Sequence, residues 1–176
     1  MAPLIVRVSQ MNTLKITTFQ AYLFWENVDK NLQNLGLRLS SIREKTDLII
    51  LPEMFSTGFS MNVKTLAEEM DGRSMAWMID QAKKFQSVVT GSLIIKEGNK
   101  YYNRLIWMRP DGTYEYYNKR HLFGLGEEDL HYTAGSKKLI VELNGWKICP
   151  VICYDLRFPV WLRVKNEDYD MLLVVA

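Results

Sequence analysis

Three segments of this 176-residue chain share one form, an apolar run that leads into a single reactive or charged side chain at an expected strand end. They are Leu51-Pro52-Glu53-Met54-Phe55, Asn118-Lys119-Arg120-His121-Leu122, and the run Cys149-Pro150-Val151-Ile152-Cys153, which turns polar at Tyr154-Asp155. A thiol is a poor nucleophile until deprotonated, a carboxylate can take its proton, and an ammonium group both lowers a thiol pKa and stabilises an oxyanion. Glu53, Lys119 and Cys153 would together make a complete acyl-transfer set. Singly, each has a bland reading: Glu53 as a solvated carboxylate, Lys119 as a surface cation paired with Glu115 or Asp111, and Cys153 as inert core beside Cys149.

Jointly, the stretches Leu51–Phe59, Asn118–Phe123 and Cys153–Pro159 resemble the nitrilase superfamily of carbon–nitrogen hydrolases, whose triad is Glu, Lys and Cys in that chain order. They look most like its omega-amidase branch, which hydrolyses the terminal amide of small dicarboxylic monoamides and their 2-oxo analogues. The resemblance runs from about Leu14 to the last residue. It implies Cys153 as nucleophile, Glu53 as general base and acid, and Lys119 as oxyanion stabiliser together with the backbone N–H of Tyr154. Glu128 matches a second glutamate that supports the lysine, with Glu127 as the competing assignment. A nitrilase or an N-carbamoyl hydrolase is the nearest alternative. No cofactor is implied, the substrate is a small amide, and the expected protein partner is a second copy in a homodimer.

Other residues take their roles from these. Charged partners are expected to make Cys153 a thiolate at neutral pH, whereas Cys149, without such neighbours, is inert. The two cysteines point to one side of an ideal strand, yet stand too far apart along it for a disulfide, which needs a Cα separation of about 4.4–6.8 Å. Phe55, Phe59, Phe123 and Tyr154 could line a pocket, Phe59 and Phe123 serving as the substrate-binding pair. Arg120, Arg104 or a residue of the part expected beyond Ala176 could meet a substrate carboxylate, and Asp155 and Arg157 are structural, with Arg157 suited to pair a buried carboxylate. His121, His131, Cys149 and Cys153 fit no paired zinc-ligand spacing, so no metal is expected, and no glycine-rich loop follows a strand to hold a nucleotide.

The elements that must position these residues follow from periodicity. Leu14–Gln20 predicts a strand and Glu26–Lys45 an amphipathic helix, with Val28, Leu32, Leu35, Leu39 and Ile42 recurring at helical spacing. The apolar run Asp47–Pro52 predicts a strand buried on both faces. Ser74–Phe85 predicts a helix with Ser74 as N-cap and Met75, Met78, Ile79 and Ala82 as its stripe. Ser87–Lys96, Tyr101–Arg109 and Tyr114–Tyr117 predict a meander, and Lys138–Leu143 pairs with Trp146–Cys153 across Asn144-Gly145. A short helix over Val160–Lys165 then leads to a strand over Tyr169–Val175.

A composition of 48% hydrophobic and 24% charged residues is that of a globular protein able to build a core. A net charge of +2 with scattered basic residues leaves no stripe for nucleic acid. Two cysteines and no long apolar run point away from a membrane and to the cytoplasm. The expected fold class is α/β, a four-layer α-β-β-α nitrilase-like sandwich lacking its C-terminal part, since family members continue past the final strand while this chain stops at Ala176. Either the sequence is a fragment, or a short protein leaves a sheet edge uncovered and acts as a non-catalytic interaction module. Residues 1–10 are expected to be an N-terminal extension and 11–176 the hydrolase domain.

Overall fold

A computed structural model of the protein describes residues 13–164 and 168–176. The expected extension 1–10, the domain start at Met11 and the end of the expected helix at Lys165 lie outside the described residues.

Neighbouring apolar residues fall on opposite faces of the strands, and this sets the layers. Ile16–Thr18 (β1), Leu48–Ile50 (β2), Val88–Glu97 (β3), Lys100–Met108 (β4) and Tyr114–Asn118 (β5) form one sheet in chain order. β1, β2 and β3 run parallel, and β3, β4 and β5 make the predicted antiparallel meander. Leu48, Val88, Leu105, Trp107 and Tyr117 pack toward a second sheet, while Ile49, Val89, Ile106 and Met108 pack toward helices. This alternation is what a sheet covered on both sides requires. The second sheet comprises Val141–Leu143 (β6), Trp146–Ile152 (β7) and Met171–Val175 (β8), in that order. β6 and β7 close across Asn144-Gly145, whose φ values of 51° and 82° give the left-handed turn that matches strand twist.

The helices are Val28–Leu39 (α1), Val63–Leu66 (α2), Arg73–Phe85 (α3), Glu128–His131 (α4) and Pro159–Leu162 (α5). Leu35 and Leu39 of α1 and Met75, Met78 and Ala82 of α3 cover the first sheet; Ile79, expected beside them, is 37% exposed. α1 is shorter than its periodicity predicts. Glu26 has a left-handed φ of 53° and cannot be helical, and Asn27 caps the helix by accepting the Lys30 N–H at 3.1 Å. At the other end the Ser40 and Ser41 hydroxyls turn back onto the carbonyls of Leu37 and Arg38. Ser74 is not the N-cap of α3: the Glu68 carboxylate accepts both its N–H, at 2.8 Å, and its hydroxyl, at 2.6 Å, so the cap comes from the preceding loop. The single turns α2 and α4 have too few residues to show a period in the sequence. These layers form the helix–sheet–sheet part of the expected sandwich; on the second sheet the described helix is α5, whose Leu162 joins the inter-sheet core.

Candidate active site

Glu53 follows β2, Lys119 follows β5 and Cys153 follows β7, so three strand ends converge at the rim of the inter-sheet layer. Pro52 has no N–H and stops the β2 ladder. The chain then folds back: Met54, at a left-handed φ of 46°, donates its N–H to Ser92 Oγ at 2.9 Å, and Phe55 donates to the Ser92 carbonyl at 3.2 Å. Gly91 allows this approach, because a Cβ there would lie 2.8 Å from Leu51 Cβ and 2.9 Å from the Phe55 ring. Glu53 is thereby clamped to β3.

The Lys119 backbone is fixed on both sides, its N–H to the Asn103 carbonyl at 2.9 Å and its carbonyl to the Gly135 N–H at 2.8 Å. Its buried ammonium donates to Glu53 Oε1 and to Glu128 Oε2, both at 2.8 Å. Glu128, fully buried at the start of α4, also accepts the Phe123 N–H on Oε2 at 2.7 Å. Asn103 of β4 bridges the two acids: Nδ2 donates to Glu53 Oε1 at 2.7 Å and to Glu128 Oε1 at 2.9 Å. Burial alone would pull the Lys119 pKa down, but the two carboxylates outweigh it and hold the group above its ordinary value. The ammonium is therefore charged at neutral pH. Burial and the same negative charges hold the Tyr132 phenol well above the usual range.

Cys153 has a left-handed φ of 40° and opens a 3-10 turn that runs to Arg157. Such a conformation costs a non-glycine residue about 1–3 kcal/mol and must be held by its surroundings. Asp155 supplies the hold. Its fully buried carboxylate accepts Tyr117 Oη–H at 2.8 Å and the Ile152 N–H at 3.2 Å on Oδ2, and the His121 N–H at 2.8 Å on Oδ1. The His121 ring also meets Oδ1 through Nδ1 and stacks on Phe158 at 3.7 Å. The Cys153 thiol is partly exposed and lies close to the Glu53 carboxylate and the Lys119 ammonium. Burial pushes its pKa up to about 11, Glu53 and Glu128 add to the rise, and Lys119 opposes it. This corrects the expectation of a resting thiolate: one ammonium already shared by two carboxylates leaves the site net negative, so the thiol keeps its proton until a base takes it.

Beside the thiol, Phe123 packs edge-on against Tyr154 at 5.0 Å and against Phe59 at 6.4 Å, and the Lys119 ammonium lies 5.4 Å from the centre of the Phe59 ring. Phe55 does not join them. It is buried on the helix side of the first sheet against Trp77, 5.7 Å away.

Residues 5–176 match the carbon-nitrogen hydrolase family. The chain belongs to this family. It is 42% identical over 166 residues to the omega-amidase YafV of Escherichia coli K12, and 34% identical over 165 residues to the 2-oxoglutaramate amidase of Bacillus subtilis 168. These alignments cover 94% and 92% of this chain, but only 64% and 63% of the relatives, so it spans less than two thirds of their length. The crystal structure of XC1258 from Xanthomonas campestris, a CN-hydrolase superfamily protein with an arsenic adduct in its active site, superposes with a TM-score of 0.89 at 41% identity, over 93% of this chain and 64% of that one. The fold class is accordingly the α/β sandwich of the nitrilase superfamily.

Several placements in this member of the carbon-nitrogen hydrolase family differ from expectation. Arg104 lies on the face of β4 opposite Asn103, 2% exposed, where it bonds Glu97 and Asn118 and sits over the Tyr116 ring; it cannot meet a substrate at the thiol. Arg120 donates to the Gly135 carbonyl at 3.0 Å. Arg157 is exposed rather than paired with a buried carboxylate, because Tyr117 and His121 occupy Asp155. Cys149 does have charged groups in range, Lys138, Asp168 and Asp155, and burial raises its pKa to about 11 as well. Of the adjacent glutamates, Glu128 is buried on the lysine while Glu127 is exposed. Among the described residues no group of three or more His, Cys, Asp or Glu is arranged to hold a metal ion, and no helix is long and apolar enough to cross a membrane. Asn103 escaped the sequence reading. Its one signal was an amide inside a strand, a position where Asn is depleted.

Proposed function

We propose that this chain carries the catalytic triad of a thiol-dependent omega-amidase, which converts a small carboxylated monoamide and water to a dicarboxylate and ammonia. The reading rests on one observation above the others: the Glu53 carboxylate accepts the Lys119 ammonium at 2.8 Å while lying close enough to the Cys153 thiol to raise its pKa. In this scheme Glu53 takes the thiol proton as sulfur attacks the amide carbon. The oxyanion is met by Lys119, an ammonium with three donors of which two are engaged by Glu53 and Glu128. The Tyr154 N–H is the second donor, because the first N–H groups of a helical turn have no partner within it. Glu53 passes its proton to nitrogen, the C–N bond breaks, and ammonia leaves a thioester on Cys153. Water, deprotonated by Glu53, then attacks the thioester, and the sulfur leaves and recovers the proton. A thiol with a pKa near 11 suits this cycle, since the proton moves only as attack occurs.

Phe59, Phe123 and Tyr154 are proposed as the substrate wall, and 11–176 as the hydrolase unit. The substrate class rests on the likeness to the omega-amidase and the 2-oxoglutaramate amidase. Action in the cytoplasm as a homodimer belongs to the same reading; Leu156, Val160 and Val164, exposed around α5, offer apolar surface to a second copy. The test compares kcat/KM for succinamate and butyramide, which are similar in length but differ in the far carboxylate. A preference for succinamate of about a hundredfold is expected, the effect of leaving a cation such as Arg120 unpaired when the carboxylate is missing. Equal turnover would overturn the omega-amidase assignment, and no ammonia from either amide would overturn the amidase reading itself.

A further inference from the structure

From the geometry we infer that Asn103 is a positioning residue of the proposed reaction: its side-chain amide holds Glu53 by Oε1 and thereby presents Oε2 to the Cys153 thiol. The inference rests on Glu53 being the base. Glu53 Oε1 already takes two donors, Asn103 Nδ2 at 2.7 Å and Lys119 Nζ at 2.8 Å. An ionised carboxylate oxygen so occupied is a poor proton acceptor, so the thiol proton goes to the other oxygen. The second Nδ2 hydrogen points to Glu128 Oε1, and the Asn103 carbonyl fixes the Lys119 backbone, so one residue sets the spacing of base, lysine and second acid.

The amide is turned for this purpose. Asn103 is 1% exposed, and its Oδ1 is buried without a hydrogen-bond partner. An apolar residue of the same volume would fill β4 without that orphaned oxygen, so packing alone does not explain an amide there. Two carboxylates share one ammonium, and a neutral donor bonds both without adding a charge. The groups that face Glu53 are Lys119 beyond β5, Glu128 of α4, Tyr132 just after it, and Cys153 at the end of β7.

The test reads the thiol and needs no amide substrate. The rate of Cys153 alkylation by iodoacetamide is followed against pH in the full chain and in Asn103→Leu and Asn103→Asp, with Cys149→Ala as the background. A carboxylate that loses a donor holds its proton more tightly, so the acid limb of the profile should move up by about one pH unit in Asn103→Leu. In Asn103→Asp, which keeps the shape but adds a third acid, it should move at least as far. A purely structural role would lower the melting temperature and leave the limb at its original pH, which would overturn the inference. If neither variant folds, the unaltered protein decides. The Asn103 side-chain amide NMR signals should shift with pH at the midpoint of the alkylation limb, and signals that do not titrate there would overturn it. Failure of the amidase reading shows separately, as absent ammonia release with an intact shift of the alkylation limb.

Discussion

β7 carries one thiol within the strand and presents another just past its end, and burial pushes both up to about 11. Cys149 is fully buried in the inter-sheet core. Cys153 has left the ladder, stands in a left-handed turn and lies close to a carboxylate that also holds an ammonium. Two thiols that burial shifts in the same direction therefore differ in what lies beside them when a proton must move. The charges near Cys149 are Lys138, Asp168 and Asp155, whereas those near Cys153 include the Glu53 carboxylate and the Lys119 ammonium that Glu53 holds. If Cys153 is the nucleophile proposed above, it is selected by its partner and its exit from the sheet, not by a depressed pKa.

The largest expected effect separates the two directly. Cys153→Ala should reduce ammonia release by about 10⁴-fold or more, while Cys149→Ala should keep most of the activity and cost about 1 kcal/mol of stability in urea unfolding. Comparable activity losses in two folded variants would erase the distinction.

Lys119→Met breaks the cluster beside Cys153 and leaves two buried carboxylates without their cation. Loss of one partner from a buried ion pair typically costs about 3–5 kcal/mol, and activity should fall with it even at temperatures where the variant is folded. A melting temperature close to the unaltered protein's would show that the ammonium contributes little to holding the acids.

Asp155→Asn tests the turn that carries Cys153 out of β7. The carboxylate accepts from Ile152, Tyr117 and His121, and an amide cannot accept from all of them. A stability loss of about 1–3 kcal/mol is expected, with a larger fall in kcat than in KM because the thiol is displaced. Unchanged kcat would mean that the left-handed turn at Cys153 is held by other contacts.

The smallest effect is on alkaline stability. In the folded protein both thiols keep their protons to about 11, against an ordinary value of 9.0, so between these pH values the native state binds more protons than the unfolded chain. Their contribution is fully present below pH 9 and is lost as pH rises toward 11. Lys119, also raised, extends the decline to higher pH. Cys149→Ala should flatten the fall between pH 9 and 11 by about 2 kcal/mol. An identical slope in that variant would remove Cys149 from the account.

The sequence by itself determined which residues are the candidates for the chemistry and where most strands lie. Alternating or continuous apolar runs state which faces are buried, so the meander and the Asn144-Gly145 hairpin could be read locally. A charged or nucleophilic residue at the end of such a run is equally visible, as Glu53, Lys119 and Cys153 were. Local signals fixed the middle of α1 but not its ends, since those depend on the left-handed Glu26 and on hydroxyls that turn back onto the helix. Only the tertiary structure decided that Arg104 faces away from the site, that Phe55 belongs to the helix-side core, and that Asp155 is satisfied by Tyr117 and His121 rather than Arg157. It alone placed Asn103 between Glu53 and Glu128, acids 50 and 25 residues away in the chain. The physical reason is the same throughout. Burial patterns are written in neighbouring residues, whereas the partner of a buried polar group, and with it the acidity of a thiol, is set by which distant strand ends the sandwich brings to one rim.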